Sequence, residues 1–194
     1  MAVKKGYILL TDTGTLFTKL IKLYTNNTYN HASIALFSDL SEVYSFGRKY
    51  ARNPFIGGFV QEDTKSGLFK KANCAIYSFH ITEWQLKMVK QYIQEIQSKK
   101  EHYHYNFIGL FGFLLNKPIK RNKAFFCSQF VASVLEESGI YDFEKPLSLI
   151  APYDLKDIPA LQLEFQGKLS DYHNYCVINE KEAPFPFSQI TIEI

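Results

Sequence analysis

The sequence predicts an α+β protein with a mainly antiparallel sheet packed against helices, and three observations predict it. Short strand-like runs near the N-terminus include two separated by a tight turn, helical periodicity dominates the middle, and strand signals return late. No strand–helix–strand unit with a glycine-rich phosphate loop repeats, which disfavours a parallel, doubly wound sheet. A chain of 194 residues can bury a sizeable core and is expected to form one domain over residues 1–194.

Gly6 to Thr11 has the pattern of a short buried strand, and Asp12-Thr13-Gly14 turns into a helix with Leu16, Leu20, Ile21 and Tyr24 on its apolar face. Asn26, Asn27 and Asn30 mark a loop. Asn30 to Phe37 then alternates strictly: His31, Ser33, Ala35 and Phe37 on one face, Ala32, Ile34 and Leu36 on the other. Ser38-Asp39 is a turn signal, and a second strand from Glu42 to Phe46 is expected to pair with the first as a hairpin. From Gly47 to Phe69 the residues Arg48, Lys49, Arg52, Pro54, Gly57 and Gly58 predict a loop.

Cys74 to Phe79 returns to strand. Thr82 is placed to cap a helix that carries Trp84, Met88, Val89, Tyr92, Ile93 and Ile96 on one face. A further helical stretch runs from Tyr105 to Leu115, followed by a basic loop from Lys117 to Lys123. The next helix begins at Cys127 and stops at Gly139, a residue suited to the left-handed position after a helix. Late strands are expected near Leu161 to Phe165 and Tyr175 to Ile178.

Composition narrows the function classes. A net charge of +3, with no Arg/Lys-rich helix and no RNA-binding aromatic motif, gives no reason to expect a nucleic-acid partner. The 17 Phe and 13 Tyr predict a well-filled core. Cys74, Cys127 and Cys176 form no Cys-x-x-Cys pair, and an odd number fits a reducing compartment better than a disulfide framework. The apolar run Tyr7 to Leu10 is too short for a signal peptide, and Phe107 to Leu115 is about half the length a membrane span needs. A soluble, cytoplasmic protein is therefore expected. His102 and His104 come without a further ligand cluster, so no metal or other cofactor is expected.

One motif carries chemistry. In the run AFFCSQFVASVLEESGI, Cys127 shares a helical face with Phe130, Val131, Val134 and Leu135 and sits at the electropositive end of that helix. Unpaired backbone N–H groups at such an end stabilise a thiolate. A thiol nucleophile also needs an imidazole within hydrogen-bond reach and a polar group to orient the ring. Of the five histidines, His31 opens a core strand beside the small residues Ala32 and Ser33, in the sheet on which the Cys127 helix should pack. His80, His102, His104 and His173 fall at strand ends, polar junctions or loops.

These residues resemble a family. The Thr-Gly turn after the first strand, NHASIAL around His31 and, much later, FFCSQFVASVLEESGI look like the circularly permuted branch of the NlpC-type, papain-like thiol hydrolases, which includes YiiX-like and lecithin:retinol acyltransferase-like proteins. Tyr103 to Asn106 and the run Ala151 to Leu155 also look like this group, and the histidine precedes the cysteine, as permutation requires. The resemblance implies a permuted papain-like fold, Cys127 as nucleophile, His31 as general base, and the Cys127 backbone N–H as part of an oxyanion hole. It also implies a polar third member on the strand after the histidine, where Ser45 stands, with Glu42 as a nearby substitute. Arg48, on the loop that follows, and the tyrosines Tyr7, Tyr44 and Tyr105 are candidates for holding substrate. The activity implied is cleavage of an amide bond in a peptide or peptidoglycan-derived substrate. Alternatives are a lipid acyl hydrolase or acyltransferase touching a membrane surface through FIGLFGFLL and KPIKRNK, and a non-catalytic module binding a small ligand.

Overall fold

The computed structural model describes residues 4–13, 27–50, 53–115, 117–119 and 121–182. The helix expected through Leu16, Leu20, Ile21 and Tyr24 lies outside the described residues.

The strands are β1 (Lys4–Asp12), β2 (His31–Ala35), β3 (Val43–Tyr50), β4 (Asn53–Gln61) and β5 (Asn73–Ile81), with continuous apolar runs in β1 and β5 as expected of strands buried on both faces, and β8 (Gln162–Lys168) joins them late in the chain. They form a six-stranded sheet in the order β4-β3-β2-β1-β5-β8, in which every neighbouring pair is antiparallel. The hairpin of β2 and β3 is as the sequence predicts. The stretch expected to be a loop is different: β3 continues to Tyr50, and β4 returns beside it with Ser45 opposite Val60 and Gly47 opposite Gly58. Only after β4 does the chain leave the sheet, to form a short 3-10 turn, Gly67–Lys71.

Both faces of the sheet are covered. On the first, Ile8, Leu10, Ala32, Ile34, Tyr44, Phe46 and Phe59 pack against two helices, α1 (Glu83–Ser98) through Val89, Ile93 and Ile96, and α3 (Cys127–Glu137) through Phe130, Val131, Val134 and Leu135. Thr82 caps α1 as expected: its hydroxyl accepts from Gln85 N–H at 3.1 Å, and Gln85 Oε1 accepts from Thr82 N–H at 3.0 Å. Trp84, expected on the buried face of α1, is instead 61% exposed. It lies in the first turn, before the buried positions Val89, Ile93 and Ile96. Helix α3 ends as predicted, with Gly139 at φ +61° and Ile140 N–H closing on Leu135 O at 2.9 Å.

On the second face Leu9, Ala35, Val43, Cys74 and Ile76 pack against Leu169 and Tyr172 of α5 (Leu169–Glu182). The strand expected at Tyr175 to Ile178 is therefore helix. Leu169, Tyr172 and Cys176 recur at helical spacing toward this core, which outweighs the β-branched character of a four-residue window.

Two further strands form a separate parallel pair, β6 (His104–Tyr105) beside β7 (Ala124–Phe125). Each runs straight into a helix: β6 into α2 (Phe107–Leu114) and β7 into α3. The two helices thus start side by side, fixed by Asn106, whose N–H donates to Phe125 O at 2.9 Å and whose Oδ1 accepts from Gly109 N–H at 2.9 Å. A short helix α4 (Pro152–Leu155) follows α3. Among the described residues no helix is long and apolar enough to cross a membrane.

Candidate active site: a thiol, an imidazole and a carboxylate

The sulfur of Cys127 occupies a gap in the sheet. Strands β2 and β3 pair at Ile34↔Tyr44 and Ala35↔Val43, and no pairing is made beyond them toward His31. There the strands separate, and the backbone groups of Ala32 find other partners. Ala32 O accepts a hydrogen bond from Ser45 Oγ at 2.7 Å, while Ala32 N–H points at the Cys127 sulfur. Helix α3 brings the thiol there because Phe130, buried between Phe46 and Phe59, seats its first turn on the strands.

His31 meets Cys127 from β2. Its Nε2 lies 2.7 Å from Glu62 Oε1, and a hydrogen bond joins the imidazole to the Cys127 thiol. With Nε2 engaged by the carboxylate, Nδ1 is the nitrogen left for sulfur. The Phe69 ring, from the 3-10 turn, lies against the imidazole with centroids 6.1 Å apart. Both partners of the His31–Glu62 pair are largely buried, with 14% and 6% of their side chains exposed. The second oxygen of Glu62 accepts from Ser33 Oγ at 2.5 Å, so both carboxylate oxygens are held.

The charges reinforce one another. Burial alone would push the Cys127 thiol up, but the neighbouring His31 charge, the hydrogen bond from its ring and the N–H groups of Ala32 and Ser128 outweigh it, and the thiol lies below its ordinary value. Burial also disfavours an imidazolium at His31. The Glu62 carboxylate and the Cys127 thiolate overcome that cost and raise the His31 pKa well above the usual 6.5. Both shifts favour a thiolate–imidazolium pair, with the Glu62 carboxylate behind the imidazole. By contrast, burial pushes the Cys74 thiol up to about 12.

The sequence placed the first two members together and missed the third. Ser45 does not orient His31; its hydroxyl is spent on the Ala32 carbonyl. Glu42 accepts from Tyr44 OH at 3.5 Å and is no substitute. Glu62 takes the position from just past β4, where its N–H donates to Val43 O at 2.8 Å. Its side chain crosses β3 to reach β2, a span of about two inter-strand spacings of ~4.8 Å each. The crossing is open because β3 presents only Ser45 and Gly47 there; a Cβ on Gly47 would lie 3.7 Å from both Glu62 Oε1 and His31 Cε1. The signal that could have found Glu62 is the run Phe59-Val60-Gln61-Glu62, which alternates like a strand once the two preceding glycines are not taken as a loop.

The substrate candidates separate. Tyr105 packs on β4 at the first core: a Cβ on Gly57 would come within 2.8 Å of both Tyr105 Cβ and Gly47 O. Tyr7 pairs with Ala35, four positions along β1 from Thr11, the residue opposite His31, and it packs on the second core. That is about 13 Å along the strand at ~3.3 Å per residue. Tyr44 is a core residue stacked on Phe59 at 5.9 Å. Arg48 follows Gly47 on β3 opposite Gly57, and its side chain lies outside the described part of the structure, as does Arg52. The run Ala151 to Leu155 has a structural role: Ala151 N–H donates to Asp154 Oδ2 at 2.6 Å, and the preceding Ile150 O accepts from Ser128 Oγ at 2.7 Å, which ties this turn to the start of α3.

No family model, curated protein or solved structure matches the chain.

Proposed function

We propose that this chain is a cysteine hydrolase of the circularly permuted, NlpC-type papain-like class, cleaving an amide bond in a peptide or peptidoglycan-derived substrate. The observation that carries the reading is the continuous chain from the Cys127 sulfur through the His31 imidazole to the Glu62 carboxylate. The order of its members along the sequence, His31 then Glu62 then Cys127, agrees with the resemblance to the permuted branch.

In this mechanism the Cys127 thiolate attacks the amide carbonyl, and the developing oxyanion is met by the Cys127 N–H at the start of α3. His31, protonated on Nδ1, gives its proton to the leaving amine as the C–N bond breaks, which leaves a thioester on Cys127. Neutral His31 then takes a proton from water as that water attacks the thioester, and the acid is released with the thiolate–imidazolium pair restored. Glu62 holds the ring through Nε2 and stabilises its cationic state, and Ser33 holds Glu62.

The test is a panel of amide substrates together with a thiol probe. Iodoacetamide should label Cys127 faster than Cys74 and Cys176 near neutral pH, and Cys127→Ala should lower amide turnover by at least about a thousandfold. Equal labelling of all three cysteines, or turnover that survives Cys127→Ala, would remove the proposal.

A further inference from the structure

We propose that the outward face of α2, with the basic loop that follows it, is a docking surface for an anionic lipid bilayer. Helix α2 is made only of Phe, Ile, Gly and Leu. The basic loop folds back onto this helix: a Cβ on Gly112 would lie 2.5 Å from Lys117 O and 2.7 Å from Ile119, which sets the loop beside the exposed side chains of that face. Ile108 and Leu115, four positions before and three after Gly112 and so on the same side, are 53% and 70% exposed. A helix that is apolar all round normally belongs in a core or a membrane. This one leaves Ile108 exposed, with Leu115 exposed just past its end, and is too short to span a bilayer.

Charge says what covers that face. Lys117, Arg121 and Lys123 are exposed in the loop directly after it, and no ion pair engages them among the described residues. From His102 to Leu135 the sequence contains no Asp or Glu, but it does contain Lys117, Lys120, Arg121 and Lys123. Apolar side chains beside unpaired cations are the pattern of a peripheral membrane contact, in which the apolar groups enter the acyl boundary and the cations meet anionic headgroups. A second copy of the chain is a poorer occupant, because a two-fold contact through this face would set basic loop against basic loop. The surface also adjoins the site: the loop leads through β7 into Cys127, and β6, which precedes α2, holds Tyr105 over Gly57. Docking would bring the Cys127 end of α3 toward the bilayer.

The test is co-sedimentation with vesicles of phosphatidylcholine alone and of phosphatidylcholine mixed with phosphatidylserine, at low and high salt. The full chain should bind the mixed vesicles, release with salt and ignore the neutral ones. Each basic side chain near an anionic surface contributes about fivefold to binding, so joint Lys117→Glu, Arg121→Glu and Lys123→Glu should weaken it by at least about a hundredfold. Joint Ile108→Asp and Leu115→Asp should weaken it at least tenfold with an unchanged melting temperature, since both side chains are exposed in the free protein. Ile108→Trp in a Trp84→Phe background should shift its emission to shorter wavelength on mixed vesicles. Cys127→Ser should bind like the parent, which keeps the result independent of the proposed chemistry. The proposal is overturned by absence of binding at low salt, by binding indifferent to both sets of substitutions, or by a concentration-dependent dimer that the Ile108 and Leu115 changes abolish.

Discussion

The Glu62 carboxylate reaches His31 Nε2 at 2.7 Å from the end of a strand that does not adjoin the histidine strand. An intervening strand normally fills such a path with side chains. Here it offers a serine hydroxyl turned to the backbone and a glycine.

Glu62→Gln keeps the size of the side chain and removes its charge. Glu62 raises the His31 pKa, so its loss lowers that pKa, and the imidazolium is given up at lower pH. The Cys127 thiolate, which depends on the imidazolium, should then form only at higher pH. The pH dependence of iodoacetamide alkylation at Cys127 should show its inflection moved upward in the variant. In the parent chain, on the proposed mechanism, kcat/KM should rise with pH through the thiol ionisation and fall through the His31 ionisation. Amide turnover should drop by roughly a hundredfold to ten-thousandfold in Glu62→Gln. An unmoved alkylation profile would separate Glu62 from the pair.

Gly47 sets a size limit on this path. Gly47→Ala places a methyl in ordinary contact, 3.7 Å from His31 Cε1 and Glu62 Oε1, and should keep most activity. Gly47→Leu should block the crossing and reproduce the pH behaviour of Glu62→Gln.

Ser45 and Ser33 should part company. Ser45→Ala leaves the Ala32 carbonyl without its hydroxyl donor and should cost about 1–3 kcal/mol in denaturant unfolding, with turnover changed only a few-fold. Ser33→Ala removes the donor to Glu62 Oε2 and should lower kcat about tenfold at unchanged KM, because it acts on the orientation of the carboxylate.

Phe130→Ala tests the seat of the thiol. The ring is fully buried between Phe46 and Phe59, so its loss should destabilise by about 3–5 kcal/mol. Crystals or NMR of the variant should show the start of α3 loosened from β2.

Much of this was legible because the periodicities were clean. Thr82 announces α1, Gly139 ends α3, and the alternation about His31 places that residue on a strand. Other features depended on contacts far apart in sequence. Asn53-Pro54 and Gly57-Gly58 resemble a loop, yet Gly57 is small because Tyr105 and the Gly47 carbonyl press on it. With β4 unseen, Glu62 had no address, and the third position fell to Ser45, which is on the right face but one strand short. The end of the chain failed differently, since Tyr175 to Ile178 shows its helical period only when traced back to Leu169.

The gap that admits the Cys127 sulfur has a mechanical meaning as well. β1 and β5 are joined by nine residue pairs, β1 and β2 by five, and β3 and β4 by six, whereas β2 and β3 share two. The sheet therefore has a fault line, with His31 on one bank, Glu62 on the other and the thiol lodged between them. The bonds from Glu62 to His31 and Ser33 are clasps across that fault. Whatever pries the two banks apart takes Glu62 away from His31 and so unsettles the Cys127 thiol, which makes the reactivity of Cys127 a local gauge of whether the sheet is closed.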